Sequence, residues 1–281
     1  MLKQEGNKLY RRQDKELLLI EPWGKNSLRV RATQRHEFLP DGNGNSALLT
    51  PSAAEAEIAI DGKQATITNG KITCTVSENG ELQFCNQDGE VLLEEYSRVR
   101  DTQAEGRNRF ASALEIVPRT FNPRQSTDHY RLTVRFESND GEKLYGMGQY
   151  QQPFLDLKGC VIELAHRNSQ ASVPFVLSDR GYGMLWNNPA IGHATFGKNV
   201  TEWVAESTKQ MDYWITAGDT PAQIEEAYAD ATGKVPMMPE YGMGFWQCKL
   251  RYQTQDEILE VAREYKRRGL PIDVIVADYF H

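Results

Sequence analysis

Asp278 is the residue whose type and position best suit the binding of a polar ligand. It directly follows residues 272–277, an almost continuously apolar run typical of a parallel strand covered on both faces. Ligands of parallel α/β folds gather at the carboxyl ends of such strands. Tyr279, Phe280 and His281 come next. A carboxylate among flat apolar surfaces suits sugars, whose hydroxyls bind carboxylates and whose C–H faces stack on rings. Position alone also allows Asp278 to be a loop former.

A strand, a helix and a second strand are predicted to position Asp278. Residues 242–247 predict a short apolar strand, and Thr254 with Glu257 forms a capping box that starts a helix. Acidic residues begin this helix, basic residues end it and Gly269 stops it, which complements the helix dipole. Residues 272–277 are the second strand. Together they make one βαβ unit of about the standard length of ~30 residues.

The first 215 or so residues are predicted to be mainly antiparallel β structure. Turn signals recur every eight to ten residues, at Asp61-Gly62, Asn69-Gly70, Asn79-Gly80 and Asp88-Gly89. Such dipeptides tolerate the positive φ angles of type I′ turns, so their spacing predicts a β-meander. That many short strands close best as a sandwich. Residues 41–56 and 118–128 are predicted to be loops.

Two domains are predicted. The first, residues 1–234, is the β-sandwich with a connector helix at 220–232, which Thr220 caps and Gly233 stops. A proline-punctuated segment follows. The second domain, residues 235–281, contains the βαβ unit.

Composition and charge exclude several classes of partner. The net charge of −7, from 32 basic and 39 acidic residues, argues against nucleic acid, which needs clustered Lys and Arg. No apolar stretch approaches the ~20 residues of a membrane-spanning helix. The first residues lack a secretory signal, so a cytoplasmic location is expected.

The four cysteines, Cys74, Cys85, Cys160 and Cys248, form no C-x-x-C pair and have no close His. They therefore predict neither a metal site nor a redox motif. We expect free, packed thiols.

Several segments resemble glycoside hydrolase family 31. Residues 244–247 (GFWQ), 251–257 (RYQTQDE) and 270–278 (LPIDVIVAD) look like the opening of that family's barrel. Residues 144–149 (LYGMGQ) resemble its "YGLG-E/Q" segment, and residues 173–189 resemble its "PF…RGYG…N-P" segment. The match covers about half of the chain, from residue 144 to residue 281.

The resemblance implies a mainly β protein, with a galactose-mutarotase-like β-sandwich followed by the start (β-α-β) of a (β/α)8 TIM barrel. It implies a retaining hydrolase of α-glucosides or α-xylosides, with an α-linked oligosaccharide or glycoside as its partner and no metal or organic cofactor. In the family, the position of Asp278 binds hydroxyls of the sugar in the −1 subsite. Trp246 and Gln247 would line the same pocket. For Trp246 alone, core packing is the alternative.

A loop of the sandwich is also expected to reach the sugar. The family extends a loop over the barrel mouth, and residues 149–170 correspond to it. Many members have an aspartate where this chain offers Asn168, which can donate and accept hydrogen bonds but brings no charge. Two interpretations remain: Asn168 contacts the sugar, or it belongs to an ordinary polar loop without a role in binding.

The two residues after Asp278 bear on substrate choice. Tyr279 and Phe280 are bulky, whereas glucoside-acting members commonly have a small aliphatic residue after the aspartate. The two side chains could crowd a C6 hydroxymethyl group, which favours an α-xyloside slightly.

No catalytic residue is assigned in this chain. Retaining glycoside cleavage needs two carboxylates ~5 Å apart. The family draws both from later barrel strands, beyond His281. Asp273 sits too early in its strand to serve. The 281-residue chain alone is therefore predicted to cleave neither aryl α-glucosides nor aryl α-xylosides.

Two other classes of protein remain as alternatives. A carbohydrate-binding sandwich would need nothing past residue 235. An aldose-epimerase-like enzyme would need a His and acid pair, for which His129 and His193 are the candidates, without an acidic partner motif. The oligomeric state is open, and a homo-oligomer is allowed.

Overall fold

A computed structural model describes residues 1–41, 46–51, 54–98 and 115–279. It divides into two compact units, Met1–Gly233 and Lys234–His281. Phe280 and His281 lie outside the described residues.

The first unit is built mainly of antiparallel strands. In chain order they are β1 (Leu2–Glu5), β2 (Lys8–Gln13), β3 (Glu16–Pro22), β4 (Ser27–Thr33), β5 (Glu57–Asp61), β6 (Gln64–Asn69), β7 (Ile72–Val76), β8 (Leu82–Cys85), β9 (Val91–Glu94), β10 (Arg119–Pro123), β11 (Tyr130–Glu137), β12 (Leu144–Gln149), β13 (Val161–Leu164), β14 (Ala171–Ser178), β15 (Tyr182–Trp186), β16 (Gly192–Phe196), β17 (Val200–Thr208) and β18 (Met211–Ala217). One sheet has eight strands in the order β1-β2-β3-β4-β18-β15-β14-β12. Two five-stranded sheets have the orders β5-β6-β7-β8-β9 and β10-β11-β17-β16-β13.

The meander predicted from the turn dipeptides is confirmed as the sheet β5 to β9. Gly62, Gly70, Gly80 and Gly89 occupy its turns with φ angles of 59° to 87°, which glycine adopts without steric cost. An isolated antiparallel bridge between Glu95 and Phe136 connects the end of this meander with β11.

The hydrophobic core lies between the eight-stranded sheet and the two smaller sheets. Trp186 of β15 stacks on Trp203 of β17 with ring centroids 5.8 Å apart. Tyr213 of β18 meets Phe136 of β11 edge to face at 5.9 Å. These rings are fully or almost fully buried. They join opposite layers, as expected of a sandwich.

A helix covers part of the outer face of the eight-stranded sheet. It is α1 (Pro221–Thr232), and Thr220 Oγ1 accepts a hydrogen bond from the Gln223 backbone, which confirms the predicted cap. Phe175 of β14 stacks on Tyr228 of α1 at 4.2 Å. A Cβ at Gly183 would come within 2.6 Å of the Ile224 side chain, so a glycine is needed there for α1 to approach.

Two segments predicted to be loops contain strands. Residues 118–128 include β10, which pairs with β11, and residues 149–170 include β13, which pairs with β16. Both strands are short edge strands. The partner of β13 is about 30 residues away in sequence, whereas β10 pairs with the next strand, β11. Short edge strands carry little local patterning.

The second unit contains the predicted strand, helix and strand. A 3₁₀ helix (Glu240–Met243) precedes β19 (Trp246–Lys249), so this strand begins later than the predicted residue 242. Helix α2 (Gln255–Arg267) follows, with Thr254 as its N-cap, and β20 (Val274–Ala277) pairs with β19 in parallel. In the described part of the chain, neither α-helix is long and apolar enough to cross a membrane.

A buried cluster of charged side chains lies at the junction of the meander with β10. Arg119 donates to Glu95 at 2.5 and 2.6 Å and to Glu16 at 2.9 and 3.0 Å. The side chain of Glu95 is 0% exposed. Burial raises the pKa of the Glu95 carboxyl to about 7, although Arg119 opposes this shift. The Arg119 guanidinium thus donates hydrogen bonds to two carboxylates, those of Glu16 and Glu95.

The raised pKa of Glu95 predicts a pH-dependent contribution to stability. Between about pH 4.5 and about pH 7 the folded chain holds a proton that the unfolded chain releases, so this contribution falls as pH rises. Glu95→Gln should therefore flatten the pH dependence of the free energy of unfolding, by on the order of 1–3 kcal/mol across this window. Urea unfolding at pH 5 and pH 7.5 measures this pH dependence of the free energy of unfolding. The exposed Glu57→Gln is the control, and identical pH dependence in all three proteins would contradict the prediction.

Candidate functional site

The carboxyl end of β20 carries the predicted site residue Asp278. Cys248 of β19 pairs with Val276, two residues before Asp278, so the Cys248 and Asp278 side chains lie on the same face of the two-stranded sheet. The Cys248 Sγ atom is 3.8 Å from Asp278 Oδ2, and the thiol donates to the carboxylate. Asp278 is exposed.

Trp246 lies two residues before Cys248, so alternation along β19 places its side chain on the face of Cys248 and Asp278. Trp246 is 48% exposed in this chain, begins β19 and pairs with Val274, four residues before Asp278, so its place in the pocket stays a prediction. The indole Nε1 donates to the Gly242 carbonyl at 3.0 Å. This hydrogen bond holds the indole while leaving part of its surface open.

Gln247 points to the other side of β19. Its Oε1 accepts a hydrogen bond from the Tyr265 hydroxyl of α2 at 2.6 Å, and its Nε2 donates to the Tyr252 hydroxyl at 3.3 Å. The Phe245 ring, two residues earlier, also lies 5.8 Å from the Tyr265 ring. The Gln247 amide is thus held between strand and helix. Its assignment to the pocket stays a prediction, as does that of Trp246.

The start of β19 is locked to the start of β20. Asp273 Oδ2 accepts from the Phe245 backbone at 3.0 Å, and the Asp273 backbone donates to the Phe245 carbonyl at 3.1 Å. A Cβ at Gly244 would come within 1.9 Å of Asp273 Oδ2, so a side chain there would displace the carboxylate. Asp273 therefore has a structural role, in keeping with its exclusion from catalysis.

Tyr279 directly follows Asp278 and is 75% exposed. Its φ angle is 68°, in the left-handed region that bulky residues seldom adopt. Such strain is found disproportionately at functional sites. Phe280, the other residue expected to crowd the sugar, lies outside the described residues.

Asn168 lies in the first unit, at the tip of a tight turn. Arg167 and Gln170 form an isolated antiparallel bridge around it, and Ser169 adopts a φ angle of 66°. Asn168 is exposed. The turn offers its side chain to solvent, and the sugar contact stays a prediction.

The polar groups on the outer face of the eight-stranded sheet are largely paired with one another. Arg29 donates to both carboxylate oxygens of Asp212, at 3.0 and 2.6 Å, and Arg31 donates to Glu21 at 2.5 Å. All four are buried. Arg31 Nε is buried without a hydrogen-bond partner, but the other groups are engaged with one another. Groups engaged in this way have little left for a ligand, so this face gives little support to a stand-alone carbohydrate-binding sandwich.

His129 has an acidic neighbour that the sequence motif did not suggest. Its Nε2 is 3.7 Å from Asp128 Oδ1, and its Nδ1 is 2.9 Å from Ser207 Oγ. Hydrogen bonds from Lys209 and Arg35 lower the pKa of Asp128 to about 2. A carboxylate committed to two cations is a poor acid or base, so the epimerase-like alternative is not favoured.

Cys248 is a neighbour of Asp278 that sequence reasoning missed. We expected four packed thiols. All four cysteines are free, but only Cys74 is buried; Cys85 and Cys160 are partly buried, and Cys248 is exposed. The signal that could have indicated it is its place in the first barrel strand, one strand away from Asp278.

Comparisons with known families agree with this arrangement of a sandwich and a βαβ unit. The family described as the glycosyl hydrolase 31 N-terminal galactose mutarotase-like domain matches residues 17–193. The glycosyl hydrolases family 31 TIM-barrel domain matches residues 235–281. The class of protein is thus a mutarotase-like β-sandwich with the start of a TIM barrel, as predicted. The chain belongs to glycoside hydrolase family 31, and the resemblance is confirmed.

Individual relatives carry the names of glycosidases. An uncharacterised family 31 glucosidase, ORF2, of Pseudescherichia vulneris is 54% identical over 99% of this chain and 53% of its own length. Alpha-xylosidase A of Aspergillus niger is 31% identical over 94% of this chain and 37% of its own. The crystal structure of a family 31 α-xylosidase from a soil metagenome, complexed with xylose, has a TM-score of 0.88 and 52% identity, covering 100% of this chain and 42% of that one. The chain spans about half or less of the length of these relatives.

Proposed function

We propose that this chain is the N-terminal part of a retaining α-glycosidase that acts on α-xylosides or α-glucosides, with a preference for α-xylosides. The observation that carries the proposal is the exposed Asp278 carboxylate at the carboxyl end of β20. The names of the relatives support it, because they include both α-xylosidases and a glucosidase.

In this proposal Asp278 holds the sugar and does not break the bond. An ionised carboxylate accepts hydrogen bonds only, so its two oxygens can bind neighbouring hydroxyls of one sugar ring. Trp246 would offer its exposed ring surface to the C–H face of that sugar. Asn168 stays a predicted additional contact.

The nucleophile and the acid/base belong, in this proposal, to barrel strands outside this sequence. Retention requires two carboxylates ~5 Å apart on either side of the scissile bond. Asp273 is engaged by the Phe245 backbone, and Asp256, Glu257, Glu260 and Glu264 lie on α2. The 281-residue chain alone should therefore be inactive. A cytoplasmic location and a homo-oligomer stay predictions.

Asp278→Asn in the protein expressed from the whole reading frame tests the role of Asp278. The amide keeps the shape but loses the charge, and charge-assisted hydrogen bonds contribute about 1.5–3 kcal/mol each. We expect kcat/KM for p-nitrophenyl α-xyloside to fall about 100-fold, which corresponds to ~3 kcal/mol. Asp256→Asn, in the first turn of α2, is the control and should keep wild-type rates. Wild-type turnover by Asp278→Asn, or clear turnover by the 281-residue chain, would contradict the proposal.

The preference for α-xylosides is tested at Tyr279. If its ring crowds a C6 hydroxymethyl group, Tyr279→Ala should raise kcat/KM for the α-glucoside relative to the α-xyloside by about 10-fold, the usual scale for a small added group in a pocket. Tyr279→Phe retains the bulk and serves as the matched control. Equal cleavage of both glycosides by the wild-type enzyme would remove the preference, and an unchanged ratio in Tyr279→Ala would remove the role of Tyr279.

A further inference from the structure

Cys248 stands apart from the other three cysteines. Cys74, Cys85 and Cys160 are buried or partly buried within the sandwich, whereas Cys248 is exposed on β19. The Cys248 thiol contacts Asp278 Oδ2, with 3.8 Å between the sulfur and the oxygen.

The register of β19 and β20 makes this contact a consequence of the fold. Parallel pairing sets Cys248 beside Val276, and the chain then continues to Asp278 on the same face. The lock between Asp273 and the Phe245 backbone holds this register at the start of both strands. The Cys248 thiol thus contacts the Oδ2 oxygen of Asp278 from the side of β19. Asp278 itself is exposed.

The Cys248 thiol is suited to donate a hydrogen bond to the Asp278 carboxylate. Partial desolvation, and then the negative charge and hydrogen bond of Asp278, raise the pKa of the Cys248 thiol above its ordinary value. The neutral S–H is therefore the form present at neutral pH, and it is a weak donor.

We propose that Cys248 is a positioning residue, whose S–H binds one oxygen of Asp278 and so directs the carboxylate toward the hydroxyls of the α-glycoside. The inference rests on the substrate-binding role proposed for Asp278. The χ2 torsion of aspartate is broad and roughly two-fold, so a single fixed partner can decide which oxygen lies where. A carboxylate has about four lone-pair sites, and the thiol occupies one of them. The remaining sites stay available to the sugar.

A positioning role predicts a specific kinetic pattern in the full-length enzyme. Cys248→Ala should raise KM for p-nitrophenyl α-xyloside about 3- to 10-fold with little change in kcat, because a contact that orders a binding group acts equally on bound substrate and transition state. Cys248→Ser supplies another donor and should restore most of the loss. Cys85→Ala, a partly buried thiol of the sandwich, is the control and should keep the wild-type KM.

The contact itself can be tested without catalysis. Alkylation of Cys248 by iodoacetamide, followed by peptide mass spectrometry against pH, reports the thiolate fraction. Asp278→Asn should shift this profile to lower pH, since it removes a negative charge beside the thiol. Saturating xylose should slow the alkylation of the wild-type enzyme.

The outcomes separate this inference from the proposed function. An alkylation profile unchanged by Asp278→Asn, or an active enzyme whose Cys248→Ala variant keeps its KM, would overturn the role of Cys248 alone. A Cys248→Ser variant as impaired as Cys248→Ala would also overturn it, because the donor would then be irrelevant. A wild-type enzyme that cleaves neither α-xyloside nor α-glucoside would overturn the proposed function and this role with it.

Discussion

The parallel register of β19 and β20 is the constraint on which the candidate site depends. Asp273 accepts the Phe245 backbone N–H, and Gly244 leaves the room that this carboxylate needs. Parallel strands have no short turn between them to set their register. A side-chain lock at their starts, together with α2 between them, does so here. The distance between Cys248 and Asp278, at the carboxyl ends of the two strands, follows from this register.

Two aspartates five residues apart in sequence thus do different work in the second unit. Asp273 precedes β20, and its carboxylate accepts the backbone N–H of Phe245, which fits a structural role. Asp278 follows β20 and keeps most of its hydrogen-bonding capacity, since its contact is a weak thiol donor. In the first unit, Arg29, Asp212 and their neighbours are paired and buried. The contrast between satisfied and unsatisfied carboxylates directs the functional assignment to the end of β20.

Local signals predicted much of the fold. The turn dipeptides gave the meander, and the caps at Thr220 and Thr254 gave both helices, because caps and tight turns depend on a few adjacent residues. The edge strands β10 and β13 were missed, since both are short and the partner of β13 lies about 30 residues away in sequence. The many short strands predicted the sandwich and the apolar pattern predicted the βαβ unit, while the family resemblance supplied the mutarotase-like class of the first and the TIM barrel to which the second belongs.

The site was predictable only in part, for a related reason. Asp278 could be placed at the end of its strand from the sequence. Trp246 was expected at the end of the first barrel strand, but it is the first residue of β19. The side of β19 that faces α2 depends on packing against Tyr265, so the sequence could not tell that Gln247 turns toward the helix. The meeting of Cys248 with Asp278 depends on a register between strands about 30 residues apart.

A crystal structure of the intact protein with bound xylose tests the central claim most directly. The account predicts one sugar at the carboxyl end of β20, with an Asp278 oxygen about 2.5–3.0 Å from its hydroxyls and the Trp246 ring facing it. Xylose bound on the sandwich, or at the barrel with Asp278 turned away from it, would contradict the account.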